Sequence, residues 1–208
     1  MHLQDFPLGL IPLFPLIGSA YCAFLGLRMQ RKYGEAAVHV PAIIFPALST
    51  IVAVAGFFTL AGAGHGTALY DRLWSWFDIG HLQGDFAFIM DRLSAVMCLV
   101  VTVVGTLIHV YSSGYMKGDK SYWRFFSHLN LFMCAMLILV LGDNFLMMFV
   151  GWEGVGLCSY LLIAFWYTDK AKAAAGMKAF LVNRIGDFGF SLGVFMIFWG
   201  LLAAPAAT

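Results

Sequence analysis

Six uninterrupted apolar segments limit the architectures that this chain can adopt. Their approximate limits, in chain order, are Leu8–Leu27, Pro41–Gly62, Leu93–Tyr111, Phe125–Leu141, Phe145–Trp166 and Met177–Leu202. A helix of about 20 apolar residues crosses the hydrocarbon core of a bilayer, which is about 30 Å thick. Hydrophobic residues make up 62% of the chain and charged residues only 11%, whereas soluble domains have about 25% charged residues. The sequence therefore predicts an all-α, polytopic membrane protein with about six transmembrane helices.

The basic residues predict the orientation of these helices. Nine of the 12 Lys and Arg residues lie near the connections that follow the first, third and fifth segments. They are Arg28, Arg31, Lys32, Lys117, Lys120, Arg124, Lys170, Lys172 and Lys178. Cytoplasmic loops are enriched in basic residues, so we expect both termini on the periplasmic side. Residues 63–90, rich in glycine and aromatic residues, are expected to form an ordered loop at the periplasmic membrane surface.

Three ionisable residues lie well inside the last two segments. Glu153 is eight residues beyond Phe145, which places it about 12 Å below the periplasmic edge. Asp187 is expected about 15 Å from the cytoplasmic edge, so the two carboxyl groups would have nearly equal depths. Arg184 precedes Asp187 by three residues, a spacing that places both side chains on one helix face and allows them to pair.

The cost of these charges favours a functional interpretation. A charge at the bilayer centre costs about 2.5–3.5 kcal/mol on insertion scales. Burial disfavours an ionised Glu153 and a nearby cation favours it, a balance that suits a group that loads and releases protons. Two structural alternatives remain: Arg184 and Asp187 can clasp helices together, and Glu153 can be a neutral, hydrogen-bonded acid. Three such residues at one depth favour a proton path over either alternative.

Other features of the sequence are less specific. His109 and His128 lie towards the cytoplasmic ends of their segments, where they can pass protons inward or serve as hydrogen-bonding residues at the membrane interface. The four cysteines are far apart in apolar segments, which argues against a disulfide framework, a metal site or an iron–sulfur cluster. No dinucleotide fingerprint or P-loop is present, and no basic cluster suggests a nucleic-acid partner.

Several motifs carry a resemblance to a known family. They are Asp91-Arg-Leu-Ser, His109-Val-Tyr-Ser-Ser-Gly-Tyr-Met, Arg124-Phe-Phe, Gly151-Trp-Glu-Gly-Val-Gly-Leu-Cys-Ser-Tyr-Leu-Leu and Asn183-Arg-Ile-Gly-Asp. Through them the chain resembles the antiporter-like subunit L of proton-pumping NADH:quinone oxidoreductase, respiratory complex I. The string that contains Glu153 is the most specific of these motifs.

The resemblance implies roles for particular residues. Glu153 falls on the family's buried, proton-relaying glutamate, and Arg184 and Asp187 fall on charged positions that tune the relay. It also implies that this chain holds no redox centre, since NADH, flavin, iron–sulfur clusters and quinone bind to other subunits. The implied partners are the other membrane subunits and the lipid bilayer, and the implied location is the bacterial inner membrane.

The chain departs from the family in its length. We expect residues 1–90 to form a two-helix segment with a periplasmic loop, and residues 91–208 to form the truncated start of the antiporter-like module. We expect a partial fold that contains the first helices of an inverted-repeat bundle. The family's relay lysine lies on a later helix, and Lys178 is expected at the cytoplasmic edge, a poor substitute. Subunits of cation/proton antiporters, of bicarbonate-uptake complexes and inert membrane segments remain alternative interpretations.

Overall fold

The computed structural model describes residues 2–64, 66–79 and 82–203, and most of these residues are helical. Six of the described helices are long and apolar enough to cross a membrane. They are α1 (Leu10–Tyr33), α2 (Ala36–Gly62), α3 (Arg92–Tyr115), α4 (Tyr122–Leu141), α5 (Phe145–Ile163) and α6 (Lys170–Ala203). The expectation of an all-α membrane protein with about six spanning helices is confirmed.

The chain divides into two compact units, an N-terminal unit that ends at Cys158 and a C-terminal unit that begins at Ser159. The N-terminal unit contains α1 to α4 and most of α5, and the C-terminal unit contains α6. The boundary that the sequence predicts at residue 90 stays a prediction. Helix α6 begins at Lys170, earlier than the apolar segment, because helical hydrogen bonding continues into residues too polar to count towards a hydropathy window.

Residues 63–90, expected to form a loop, contain a β-hairpin. Strands β2 (Thr67–Ile79) and β3 (Leu82–Met90) pair antiparallel, and β1 (His2–Asp5) adds a parallel third strand. Aromatic residues are enriched in strands, and here Trp74 stacks on Phe86 of the opposite strand with ring centroids 4.2 Å apart. A helical hydropathy window averages over a short period-two pattern of this kind, so the hairpin was not anticipated.

The sheet is integrated into the core of the N-terminal unit. Leu69, Phe88 and Met90 are almost fully buried and belong to one apolar cluster with residues of α1 to α4. The Asp71 carboxylate accepts a hydrogen bond of 2.7 Å from the Gly9 N–H at the start of α1. The negative charge also interacts favourably with the positive end of the helix dipole. The hairpin therefore fixes where α1 begins.

Prolines inside α1 and α2 create the acceptors that join the helices. A proline has no N–H, so the carbonyl four residues earlier loses its helical hydrogen-bond donor. Pro15, Pro41 and Pro46 leave the carbonyls of Ile11, Ala37 and Ala42 in this position. In each case a side chain from a neighbouring helix donates to that carbonyl: Ser49 at 2.7 Å, Tyr21 at 2.9 Å and Asn130 at 3.2 Å, respectively. Because lipid supplies no donors, these three bonds both satisfy the backbone and align α1, α2 and α4.

Two glycines on α1 set its distance from α4. A Cβ atom at Gly26 would lie 2.8 Å from the Cβ of Trp123, and one at Gly18 would lie 2.6 Å from the Asn130 Oδ1. Small residues at helix interfaces allow close backbone approach in membranes. The two glycines are eight residues apart, so they lie on the same face of α1, and this face packs on α4.

The N-terminus of α3 is closed by a reciprocal cap. Asp91 Oδ1 accepts from the Ser94 N–H at 2.7 Å, and Ser94 Oγ accepts from the Asp91 N–H at 2.8 Å. The Ser94 N–H is the main reason why the pKa of the Asp91 carboxyl is lowered, and partial burial opposes it. Since the folded-state pKa lies below the unfolded-state value of about 3.9, this stabilisation is complete above that value and is lost as the pH falls through the folded-state pKa.

We therefore expect Asp91→Ala to lower the free energy of unfolding by about 1 kcal/mol near neutral pH and by less in strong acid. Unfolding in mixed detergent micelles, near neutral pH and in strong acid, measures the free energy of unfolding of both proteins under each condition. Asp91→Asn keeps a capping side chain without the charge, so this variant should lose most of the acid dependence and little stability. An equal cost of Asp91→Ala at both pH values would contradict the assignment.

Candidate functional site

The start of α5, the helix that carries Glu153, is fixed by the hairpin. Asn144 Oδ1 accepts from the Met147 N–H at 3.0 Å and caps the helix, while Asn144 Nδ2 donates to the Asp85 carbonyl of β3 at 2.8 Å. The neighbouring Asp143 lies outside the spanning helices, and partial burial together with the Asp85 carboxylate raises its pKa. The contact between Asn144 and β3 therefore fixes where α5 begins. It thereby also fixes the position of Glu153, eight residues beyond Phe145.

Glycines on both sides of Glu153 press α5 against α4. A Cβ atom at Gly151 would overlap the Leu139 backbone, lying 2.6 Å from its Cα, and one at Gly154 would lie 2.9 Å from the Ala135 Cβ. Met147 and Cys158 are buried on the same face of α5. At 100° per residue, Glu153 lies on the other side of the helix from this face. It is half-buried in the structure.

Arg184 and Asp187 are brought together in the C-terminal unit, as their spacing predicts. Arg184 Nη1 lies 3.5 Å from Asp187 Oδ2, and the Asp187 side chain is only 7% exposed while that of Arg184 is 32% exposed. The guanidinium also stacks over the Phe180 ring at 4.7 Å. The pair therefore includes a buried carboxylate on a helix that is apolar enough to span the membrane.

The two histidines of the predicted path differ in their surroundings. His109 is 1% exposed, and its Nδ1 lies 2.7 Å from the Gly105 carbonyl one turn earlier on α3. Because a carbonyl only accepts, Nδ1 carries the hydrogen and Nε2 is the acceptor nitrogen. His128 lies on α4 and is half-buried.

Lys178 lies about 12 Å along α6, which begins at Lys170. Its place at the cytoplasmic edge of the membrane stays a prediction. Its side chain is exposed.

A cavity of about 210 Å³ lies between α3 and α4 beside His109. Its lining is almost entirely apolar, with Val104, Phe132 and Met136 among the lining residues. Among the described residues, no group of three or more His, Cys, Asp or Glu side chains is arranged to hold a metal ion.

Two polar clusters between helices were not predicted from the sequence. Thr50 of α2 lies 3.0 Å from the Thr106 hydroxyl of α3 and donates to the Thr102 carbonyl at 3.1 Å. His39 of α2 lies 3.0 Å from the hydroxyl of the fully buried Tyr122 of α4. Isolated polar residues in apolar segments were the only available signal, and their partners come from distant parts of the chain.

Two family models match the chain. The model described as the N-terminus of NADH-ubiquinone oxidoreductase (complex I) chain 5 matches residues 76–126. The model described as the transmembrane region of NADH:quinone oxidoreductase and Mrp antiporters matches residues 142–201, which include Glu153, Arg184 and Asp187. Subunit L of the NADH-quinone oxidoreductase of Escherichia coli is 44% identical over 192 residues, 92% of this chain and 30% of that protein. The chain belongs to this family of antiporter-like complex I subunits.

Further relatives agree with this family membership. Chain 5 of the NADH-ubiquinone oxidoreductase of Rhizopus stolonifer is 41% identical over 89% of this chain and 27% of its own length. Subunit L of Mycobacterium tuberculosis is 49% identical over 63% of this chain and 21% of its own length. The chain thus spans less than a third of the length of these family members.

A solved structure confirms the fold. A chain of the membrane-bound sulfane sulfur reductase, an archaeal respiratory membrane complex, superposes with a TM-score of 0.71 over 93% of this chain and 28% of its own length. The identity is 18%, so this likeness concerns the fold alone.

Proposed function

We propose that the chain is part of a membrane subunit of NADH:quinone oxidoreductase and that it takes part in proton translocation coupled to NADH oxidation and quinone reduction. The observation that carries the proposal is the placement of ionisable side chains inside spanning helices of a chain in this family. Glu153 lies in α5, and the Arg184–Asp187 ion pair lies in α6 with its carboxylate buried. Such groups are costly in a bilayer and mark ion pathways.

In this proposal Glu153 is the group that binds and releases the proton. Its position on the side of α5 away from α4 leaves its carboxyl outside the tight contact that Gly151 and Gly154 make. Arg184 and Asp187 act on the relay electrostatically. A change in their pairing would change the electrostatic potential that they produce, because charges interact strongly in a low-dielectric interior.

We further propose that protons approach from the cytoplasmic side past His128 and His109, with Lys178 near the entrance. The acceptor nitrogen of His109 supports a place on this path, since a proton can bind there without breaking the bond to Gly105.

The redox chemistry belongs to other subunits in this proposal. NADH, flavin, iron–sulfur clusters and quinone would bind there, and the partners of this chain would be the other membrane subunits and the lipid. The chain would lie in the bacterial inner membrane with both termini periplasmic, as the basic residues of its alternate connections indicate.

Replacing Glu153 with glutamine tests the relay. In inverted vesicles that contain the assembled complex, we expect Glu153→Gln to slow NADH-driven acidification at least about 100-fold, the lower range for loss of a proton-transferring group. Asp78→Asn is a matched control, because this exposed carboxylate of β2 should be dispensable. Unchanged acidification with Glu153→Gln would rule out the relay and favour an inert membrane segment.

A second candidate function is a subunit of a cation/proton antiporter, because the second family model is shared with Mrp antiporters. Bicarbonate-uptake complexes fall within the same alternative. Proton movement in vesicles that depends on a sodium gradient and not on NADH would favour the antiporter. The genes beside this one distinguish the candidates as well, since redox and quinone-binding subunits favour the oxidoreductase.

A further inference from the structure

Three helices meet at the side chain of Tyr122. Its hydroxyl lies 3.0 Å from His39 Nδ1 on α2 and 3.2 Å from the Ser113 carbonyl oxygen on α3. Tyr122 itself is 0% exposed, whereas His39 is half-buried. The buried Tyr122 hydroxyl therefore holds the imidazole ring of the half-buried His39.

The single hydrogen of the Tyr122 hydroxyl determines which ring nitrogen of neutral His39 carries a hydrogen. A phenol has one hydrogen to donate, and the Ser113 carbonyl can only accept. When Tyr122 donates to Ser113, its oxygen accepts from His39 Nδ1–H, and all three groups are satisfied. This arrangement leaves Nε2 as the nitrogen with the free lone pair. Binding a proton at Nε2 changes neither hydrogen bond, and the charge strengthens the bond from Nδ1–H to the Tyr122 oxygen.

The ionisable groups around the pair come from several elements. Glu35 precedes His39 by one turn, acts electrostatically on Tyr122, and accepts from the Gly118 N–H at 2.8 Å. Tyr21 of α1 donates to the Ala37 carbonyl beside them. This end of the bundle also carries the basic connections between α1 and α2 and between α3 and α4. Glu35 thus supplies an acidic group one helical turn before His39.

We propose that His39 is a proton-collecting group at the cytoplasmic end of the N-terminal unit and that Tyr122 is its positioning residue. His39 Nε2 takes a proton from hydronium in the cytoplasmic water, leaving water, and returns it from the same nitrogen to a water molecule on the inward side, which becomes hydronium. The Tyr122 phenol keeps its own proton throughout, because its hydrogen points at a carbonyl that cannot pass it on. The transport role rests on the proposed function, but the protonation site does not.

Nitrogen NMR of the chain tests the protonation site directly. The 208-residue chain, labelled with ¹⁵N-histidine and placed in lipid nanodiscs, is titrated from about pH 5 to 8, the range in which histidine changes charge. We expect neutral His39 to carry its hydrogen on Nδ1 and to bind a second proton at Nε2. His39→Gln assigns the signals, and Tyr122→Phe should shift the hydrogen towards Nε2. A neutral His39 with its hydrogen on Nε2 in the unaltered chain would overturn the proposal.

A pH profile of proton pumping tests the collecting role. In vesicles with the assembled complex, we expect His39→Gln to slow acidification about tenfold at alkaline pH, where protons are scarce, and little at acid pH, in line with the gain that local charge gives to capture rates. His2→Gln, at the opposite end of the unit, should leave the profile unchanged. An unchanged profile for His39→Gln would refute the collecting role. Normal pumping by Glu153→Gln would instead refute the proposed relay, and the NMR result would still decide the His39 site.

Discussion

Replacing Gly151 with alanine is expected to lower the free energy of unfolding by about 3 kcal/mol, the upper part of the range for overpacking. The added Cβ atom would overlap the backbone of Leu139 on α4, and a backbone cannot move aside as the end of a flexible side chain can. Helix α5 must therefore shift away from α4 and take Glu153 with it. Equilibrium unfolding by titration with a denaturing detergent measures the loss.

Gly114 supplies the matched control for Gly151. It also lies in a spanning helix, α3, but a Cβ atom there would have nothing within 4 Å. Gly114→Ala should be neutral or stabilise the protein by up to about 1 kcal/mol, since alanine favours the helix. Gly154→Ala, whose nearest contact is the Ala135 Cβ at 2.9 Å, should fall between the two. Equal effects at Gly151 and Gly114 would show that α4 and α5 are not so closely packed.

Replacing Asn130 with leucine is expected to cost about 1–3 kcal/mol, the penalty of a buried polar group without a hydrogen bond. Asn130 is fully buried and donates to the Ala42 carbonyl, which Pro46 deprives of its helical donor. Pro46→Ala returns an N–H at that position. We therefore expect Pro46→Ala to restore at least part of the stability lost in the Asn130→Leu variant, with a coupling free energy of about 1 kcal/mol.

Pro41 provides the control for this double-mutant experiment. The carbonyl that Pro41 deprives of a donor is that of Ala37, and its donor is Tyr21 rather than Asn130. Pro41→Ala combined with Asn130→Leu should therefore show additive effects. If Asn130 showed the same coupling free energy with Pro41 as with Pro46, the prolines would act by bending α2 rather than through one carbonyl each.

The spanning helices were predictable because each is specified by its own residues. About 20 apolar residues must form a helix in lipid, where every backbone N–H and C=O needs an internal partner. The same logic anticipated that Arg184 and Asp187 would pair, since both lie on one turn of one helix. The family also followed from local strings of sequence, above all the one around Glu153.

The hairpin and the early start of α6 were not anticipated, for a shared reason. Both depend on hydrogen bonds that extend regular structure into polar sequence, as in Thr67–Ile79, in Leu82–Met90 and at the start of α6. The roles predicted for Glu153, His109, His128 and Lys178, and the predicted orientation in the membrane, stay predictions. They concern protons and a bilayer, which the fold constrains but does not display.

The sequence by itself determined the number and order of the membrane helices, the charges within them and the family, because each is encoded in a contiguous stretch of residues. Only the tertiary structure decided which side chain donates to the carbonyl that each proline leaves without a helical donor. It also decided how closely Gly151 brings α5 to α4, and that His39 and Tyr122 share a hydrogen bond. These facts join residues far apart in the chain, and their partners are fixed by the packing of whole helices rather than by any local pattern.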